Sequence, residues 1–323
     1  MSGAYLGFDH SPNAMGGAIA IGNFDGVHRG HCNIIDSLLQ VAKKINGPAS
    51  IVTFDPPPAR LLRPELAPKP LTTVAWKKEL LAKAGADHVI VIPTTTELLQ
   101  LTAVDFFERV VRGELHAQGI VEGENFRFGK GRVGDIQLLA SLCEKHGMEL
   151  KIATTAQSDG QWVSSTRIRQ WIEAGQIADA NRYLLQPYRI AGKVVGGAQR
   201  GRTLGFPTAN LDSIPVLVPN VGVYAARVKG VITPDGYPAK SAPVGTHVAL
   251  NIGPNPTFGE NALKVEAHLL GFHGDLYDTV LELEILDRVR GVRKFESKES
   301  LLAQLANDLT MVASICQAHR NTI

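Results

Sequence analysis

Two histidines three residues apart, His28 and His31, stand in "IGNFDGVHRGH" (21–31), directly after an apolar run that ends at Gly22. At the start of a helix that spacing puts both rings on one side. The first-turn amides of such a helix lack intrahelical partners and the dipole makes that end electropositive, so it suits an anion such as phosphate. Two imidazoles beside it add directional donors that can follow charge onto phosphoryl oxygens during an in-line transfer. Gly22, Gly26 and Gly30 allow backbone to approach a nucleotide that a Cβ would hold off, while Asn23 and Asp25 can order the turn. The plain alternative is a glycine-rich turn with two surface histidines; as a metal pair, HxxH lacks a third ligand nearby.

Other stretches carry chemistry too. "SSTRIR" (164–169) opens a helical segment with Ser165 and Thr166 as suitable N-caps and Arg169 as a bidentate donor for phosphate. Taken alone it describes a capped surface helix. "GGAQRGRTLGFPTANL" (196–211) is a glycine-rich loop with Arg200 and Arg202 running into "PTAN", followed by "NIGPNPTFGE" (251–260) and "KVEAHLLGFHGDLYD" (264–278).

Two kinds of element must position these groups. Up to about residue 185, apolar strand-like runs (18–22, 50–54, 88–92, 119–123, 149–153) alternate with helical stretches. In the first of these helices Ile34, Ile35, Leu38, Leu39, Ala42 and Ile45 form one stripe, and the others lie around 74–84, 104–116 and 135–146. That alternation predicts a parallel, doubly wound sheet, whose ligands bind outside the carboxyl ends of the strands, where the His28/His31 turn falls. Beyond residue 185 short strands separated by Gly, Pro and Asp turns predict a small antiparallel barrel or sandwich, and "SLLAQLANDLTMVASICQ" predicts a closing amphipathic helix. The boundary is expected near "LLQPY" (184–188).

The bulk composition sets limits. The 323 residues suffice for two domains, with 44% hydrophobic and 20% charged residues and a formal net charge of +2. Such a balance argues against a nucleic-acid-binding face. Cys32, Cys143 and Cys316 are scattered and odd in number, which points to a reducing, cytoplasmic setting. No secretory leader and no membrane-length apolar run is evident.

Taken with its strand–turn–helix setting, "GNFDGVHRGH" resembles the nucleotidyltransferase signature. The two halves in this order resemble the bacterial bifunctional riboflavin kinase/FMN adenylyltransferase (FAD synthetase) family from about residue 17 to about 310. The resemblance implies an α/β Rossmann-like nucleotidyltransferase domain with a parallel sheet in residues 1–186. A six-stranded antiparallel β-barrel, riboflavin kinase-like and with a C-terminal helix, would occupy 187–323. It further implies riboflavin phosphorylation by MgATP in the second half and adenylylation of FMN to FAD, releasing pyrophosphate, in the first. Catalytic roles are implied for His28, His31 and Glu266, the last as base toward the ribityl 5′-hydroxyl. ATP contacts are implied for Gly22, Asn23, Phe24, Asp25, Gly30, Ser165, Thr166 and Arg169 in the adenylyltransferase, and for Gly201, Arg202, Thr208 and Asn210 in the kinase. Thr208 and Asn210 would also hold Mg²⁺. Asn125 of "GENFRFGKGR" (123–132) and Arg293 would contact flavin. Small-molecule substrates without nucleic acid or membrane partners, and a weak homo-oligomer, complete the expectation.

Two positions depart from the family pattern. Pro57 in "TFDPPPARLL" takes the place of a histidine, removing a donor that Arg60 or Arg63 would have to replace. Asp278 stands where glycine is common. Three readings follow: both activities with a slowed adenylyltransferase, a kinase whose first half only binds nucleotide or flavin, or another nucleotidyltransferase. Elsewhere Phe126 and Phe128 could equally be core residues, Arg288, Arg290, Arg293 and Lys294 a solvated basic run, and Trp76, Trp162 and Trp171 packing residues.

Overall fold

A computed structural model describes residues 12–154, 157–158, 161–197, 205–239, 243–255 and 260–320. The chain forms two compact units that divide between Ser164 and Ser165.

The first unit is built on five parallel strands, β1 (Ala18–Ile21), β2 (Ala49–Asp55), β3 (His88–Pro93), β4 (Gly119–Gly123) and β5 (Glu149–Ala153), in the order β3-β2-β1-β4-β5. The strand runs are near-continuously apolar because helices cover both faces. On one side α1 (Arg29–Ile45) and α3 (Val74–Lys83) pack, burying Ile35, Leu38, Leu80 and Leu81 against Ala18, Ala20 and Ile51. On the other lie α5 (Ala103–Asp105), whose continuation Phe106–Glu114 is π-wound, and α6 (Ile136–Lys145), which bury Phe106, Phe107, Leu139 and Leu142 against Ile19, Ile21 and Ile120. The π winding was not readable from the apolar spacing. Two short helical turns, α2 (Pro58–Leu62) after β2 and α4 (Thr96–Gln100) after β3, complete the upper loops, and Gln157–Ser158 pairs with Gln161–Trp162 (β6 and β7). The order of strands reverses between β1 and β4, so the crevice opens at their carboxyl ends.

The second unit is a closed barrel of six antiparallel strands: β8 (Tyr188–Val195), β9 (Ala209–Asp212), β10 (Gly222–Ile232), β11 (His247–Asn255), β12 (Glu260–Leu269) and β13 (Val280–Arg290). Period-2 burial puts Val248, Leu250, Ile252, Val265, Ala267 and Leu269 inside. β9 is too short to show as an alternation; it begins at Ala209, within "PTAN", and lies between β12 and β8 in the barrel. Preceding the barrel are α7 (Ser165–Glu173) and α8 (Ile177–Tyr183), and Asn181 of α8 donates to the carbonyls of Ile285 and Leu286 while accepting from the Tyr188 amide. These bonds explain why both helices group with the barrel. Trp76 and Trp171 are packing residues; both are buried, and Trp171 stacks on Tyr183.

The closing helix α9 (Lys298–Arg320) covers the outer face of β10 and β13 through Val312 and Cys316, against Ala225 and Leu286. It is pinned by a buried ion pair. Arg290 donates through Nε and Nη2 to Asp308, with distances of 2.7 to 3.0 Å, and Gln304 Nε2 adds a third donor at 2.7 Å. Asp308 is 1% exposed and the Arg290 side chain 19%, so removing Asp308 leaves a largely buried guanidinium without its carboxylate. Asp308→Ala should therefore cost about 3 kcal/mol or more of stability, read as a lower urea midpoint for the barrel unit; an unchanged midpoint would show that α9 is held by its apolar face alone.

Candidate active sites

In the first unit the turn after β1 is sharply bent. Phe24, Gly26 and Val27 adopt φ of 44°, 81° and 37°. Left-handed backbone is costly at Phe24 and more so at β-branched Val27. Burial holds them there: Phe24 and Val27 sit in the core under α1. The carboxylate of Asp25 accepts from the amides of Leu71 and Thr72 at 3.0 to 3.1 Å and from the Thr72 hydroxyl at 3.1 Å. It ties the turn to the segment before α3. Asn23 is exposed, and its carbonyl accepts from the Thr53 hydroxyl at 3.2 Å.

His28 precedes α1 in extended conformation, and its amide donates to His31 Nδ1 at 3.2 Å. His31 thus plays the part that Glu or Gln plays at the third position of a capping box. The two rings stack with centroids 3.7 Å apart and planes 19° from parallel, and Phe24 lies 5.0 Å from His31. A Cβ on Gly30 would come within 3.0 Å of the His28 ring and 3.1 Å of the Val163 carbonyl, so this glycine makes room for the stack.

Burial, then the charges of His28 and Lys77, hold the proton affinity of His31 well below the ordinary histidine value. The ring is therefore neutral near pH 7. Since Nδ1 accepts, the hydrogen-bond network assigns the proton to Nε2, leaving one N–H donor for a ligand.

Lys77 was not singled out by the sequence, where it is one of three lysines on an ordinary helix. It is 3% exposed, and its ammonium donates to the Thr53 hydroxyl at 3.3 Å. Burial lowers its pKa, with Asp25 and Asp55 opposing. The chain Lys77–Thr53–Asn23 carbonyl delivers a buried cation to the base of the turn.

On the loop following β4, Asn125 is exposed, Phe128 is buried, and Phe126 stacks on it at 5.5 Å while packing on the core. Ser165 and Thr166 are the first two residues of α7 rather than residues preceding it, so position 164 is the one before the helix. Arg169 lies one turn on, above Ser165. The helix belongs to the second compact unit.

In the barrel the strand register builds a row of side chains. Glu266 of β12 stands opposite Asn210 of β9 on one side and Asn251 of β11 on the other. Asn251 Nδ2 lies 3.5 Å from Glu266 Oε2, at the long limit of a hydrogen bond. Asn251, within "NIGPNPTFGE", was not identified as a site residue because only register reveals it. Asn210 needs a glycine beside it: a Cβ at Gly197 would fall 2.1 Å from its Nδ2. Thr208 is exposed on the rim of a cleft of about 590 Å³ that also includes Pro207, Phe272, His273 and Asp275. His268 Nδ1 donates to the Pro207 carbonyl at 2.7 Å and fixes the approach to Thr208. Arg293 is hydrogen-bonded to Gln304 of α9 and lies over the Phe295 ring. Gly201 and Arg202 lie outside the described residues. Among the described residues no group of three His, Cys, Asp or Glu side chains could hold a metal unaided. Thr208 and Asn210 offer hard oxygens, and Gly197 leaves room around the amide. That fits a magnesium ion which draws its other ligands from phosphate and water.

A family model described as FAD synthetase matches residues 10–167, and one described as riboflavin kinase matches 184–316. The chain belongs to the bifunctional riboflavin kinase/FMN adenylyltransferase family. It is 34% identical to the bifunctional riboflavin kinase/FMN adenylyltransferase of Escherichia coli K12, covering 91% of this chain and 90% of that one. The Pseudomonas fluorescens protein of the same name is 35% identical over 96% of both chains. A crystal structure from Streptococcus pneumoniae, described as a macrolide-efflux protein, superposes with a TM-score of 0.78 at 27% identity, covering 94% of this chain and 95% of that one. Among the described residues of the present chain no helix is long and apolar enough to cross a membrane.

The cation under the turn has a measurable consequence. Lys77→Met removes one charge that keeps His31 neutral, so the ring should titrate at higher pH than in the parent, though still below its ordinary value because burial persists. An NMR pH titration of His31 showing no upward displacement would contradict the coupling.

Proposed function

We propose that the chain makes FMN from riboflavin and ATP in its barrel module, and FAD from FMN and a second ATP in its α/β module. In this reading the modules are 187–323 and 1–186. The family membership of both halves carries the reading, and the stacked His28/His31 pair at the switch point of the sheet supports it.

The α/β module transfers the α-phosphoryl group of ATP to the FMN phosphate and releases pyrophosphate. Gly22–Gly30 cradle the nucleotide, with backbone amides and the His31 Nε2–H facing oxygens on which negative charge builds. Lys77 adds a buried positive charge below, and Arg169 with Ser165 and Thr166 binds the leaving phosphates. Asn125 contacts flavin. In the barrel, Glu266 takes the proton from the ribityl 5′-hydroxyl, held at its station by the asparagines beside it. Magnesium held by Thr208 and Asn210 supplies charge neutralisation on the ATP phosphates when bound. Gly201 and Arg202 contact ATP there, and Arg293 binds flavin. A cytoplasmic location accords with Cys32, Cys143 and Cys316, all of them free thiols.

Pro57 is the specific observation that bears on the second reading, a kinase with a mainly binding first half. It caps α2 in extended conformation, and Arg60 and Arg63 are exposed on the same segment. The missing donor slows adenylylation without abolishing it, since the remaining groups of the turn are all in place.

A time course with riboflavin and MgATP, resolved by chromatography, should show FMN first and FAD later; FMN alone at long times would leave only the kinase. Glu266→Gln should lower FMN formation about 100-fold or more while supplied FMN is still converted to FAD. Pro57→His should raise the FAD rate about tenfold or more, and an unchanged rate would show that the proline carries no cost.

A further inference from the structure

The sheet contains one buried carboxyl that none of these roles uses. Glu122 is the fourth residue of β4 and is 3% exposed, on the face shared by Ile19, Ile21 and Ile120. β1 and β4 pair through Ala18↔Gly119 and Ile19↔Ile120, and there their ladder ends. Two residues further along, Glu122 Oε1 accepts from the amide of Ile21 at 2.7 Å. A side chain thus supplies the acceptor that a neighbouring strand's carbonyl provides in a continuing ladder. The strands can part at the switch point without leaving the Ile21 N–H unpaired, which buried backbone rarely tolerates.

The position of this bond matters more than its existence. Ile21 is the last residue before the turn that begins at Gly22, and Gly22 donates on the other side to the Val52 carbonyl at 2.9 Å. Glu122 in turn is the last residue before Gly123, where the loop bearing Asn125 starts. One carboxyl therefore joins the nucleotide-side turn to the flavin-side loop, across the gap between them. We propose that Glu122 is a positioning residue for adenylyl transfer, setting the distance between the turn that holds ATP and the loop that holds FMN. The inference rests on the adenylyltransferase reading given above.

Burial pushes the Glu122 carboxyl well above the ordinary carboxylate range, and the Ile21 amide offsets this only in part. Burial thus favours the protonated form, so glutamine, which keeps an acceptor oxygen and the shape, is its faithful substitute. Valine fills the core and removes the acceptor.

The test compares wild-type, Glu122→Gln and Glu122→Val in the full chain, measuring FAD formation from FMN and ATP, riboflavin phosphorylation by the same preparations, and hydrogen exchange at the Ile21 amide. A small displacement between reactants costs up to about 100-fold in rate. The valine variant should lose about tenfold to 100-fold in kcat for FAD formation with KM values moving far less, and its Ile21 amide should exchange faster. The glutamine variant should stay within about twofold of wild-type, and kinase activity should be equal in all three. Undiminished FAD formation by the valine variant, a glutamine variant that fails equally, or a parallel fall in riboflavin phosphorylation each overturns the proposal. A wild-type chain that makes FMN and no FAD overturns instead the reading on which it rests.

Discussion

Two imidazoles whose centroids lie 3.7 Å apart cannot both carry a proton in a buried site. Most of the first unit's upper end can be derived from that constraint. A neutral His31 accepts through Nδ1 from the His28 amide, so its ring is locked in one tautomer and one orientation. The stack needs Gly30 to be bare, and it follows a tight turn in which Phe24 and Val27 adopt left-handed backbone. Strain of that kind persists only when surrounding contacts over-determine it. Here the core beneath α1 fixes Phe24 and Val27, and four hydrogen bonds into the Asp25 carboxylate fix the loop. Lys77 completes the set by placing positive charge near the pair, which helps keep His31 unprotonated. That end of α1 thus keeps a positive field while His31 stays a neutral donor.

The barrel reaches precision by another route. Its candidate site residues sit on strands, where the pleat and register set positions to within a fraction of a residue. Asn210, Glu266 and Asn251 form one cross-strand row because β9, β12 and β11 are neighbours in the closed order. A slip of one residue in any of these strands would turn its member of the row to the barrel interior. Closure leaves no free edge at which such a slip could start. The Arg290–Asp308 pair then keeps α9 seated over the outer face of the strands on which that register depends.

How much of this was legible in the sequence depends on whether a feature is local. Continuous apolar runs gave away the five parallel strands, and the limits of β4 and β5 match the runs "GIVEG" and "ELKIA". The His28/His31 turn was legible because the glycines, the spacing and the flanking strand lie within one short segment. Four residues long, β9 is too short for a period-2 pattern to report, and it begins only at the third residue of "PTAN". Asn251 gains its meaning only from register, and Lys77 and Glu122 only from burial, which no linear pattern of charges reports. A lysine on a helix and a glutamate in "GIVEG" look solvated until the fold closes over them. Ser165 and Thr166, expected as caps, are the first and second helical residues, because a run of Ser-Ser-Thr offers three equivalent caps and only backbone geometry chooses among them.

The two departures from the family pattern show why a substitution's cost depends on which property it removes. Where glycine is common, Asp278 has φ of 62°, so the position does demand left-handed backbone. Aspartate tolerates that region better than most residues. Its amide donates to the Val194 carbonyl at 3.0 Å and its carboxylate lies 2.9 Å from Lys193 Nζ. The lost freedom is conformational, and local contacts offset it. Pro57 is different in kind. What it removes is a donor, and no adjustment of backbone can recreate an N–H that the residue does not possess. Replacement would have to come from another side chain held in place, yet α2 buries none of its residues and leaves Arg60 exposed. An exposed arginine on a short, unburied turn can reach a phosphate only by giving up side-chain freedom at the moment of reaction, whereas a side chain already fixed by packing would have surrendered it on folding.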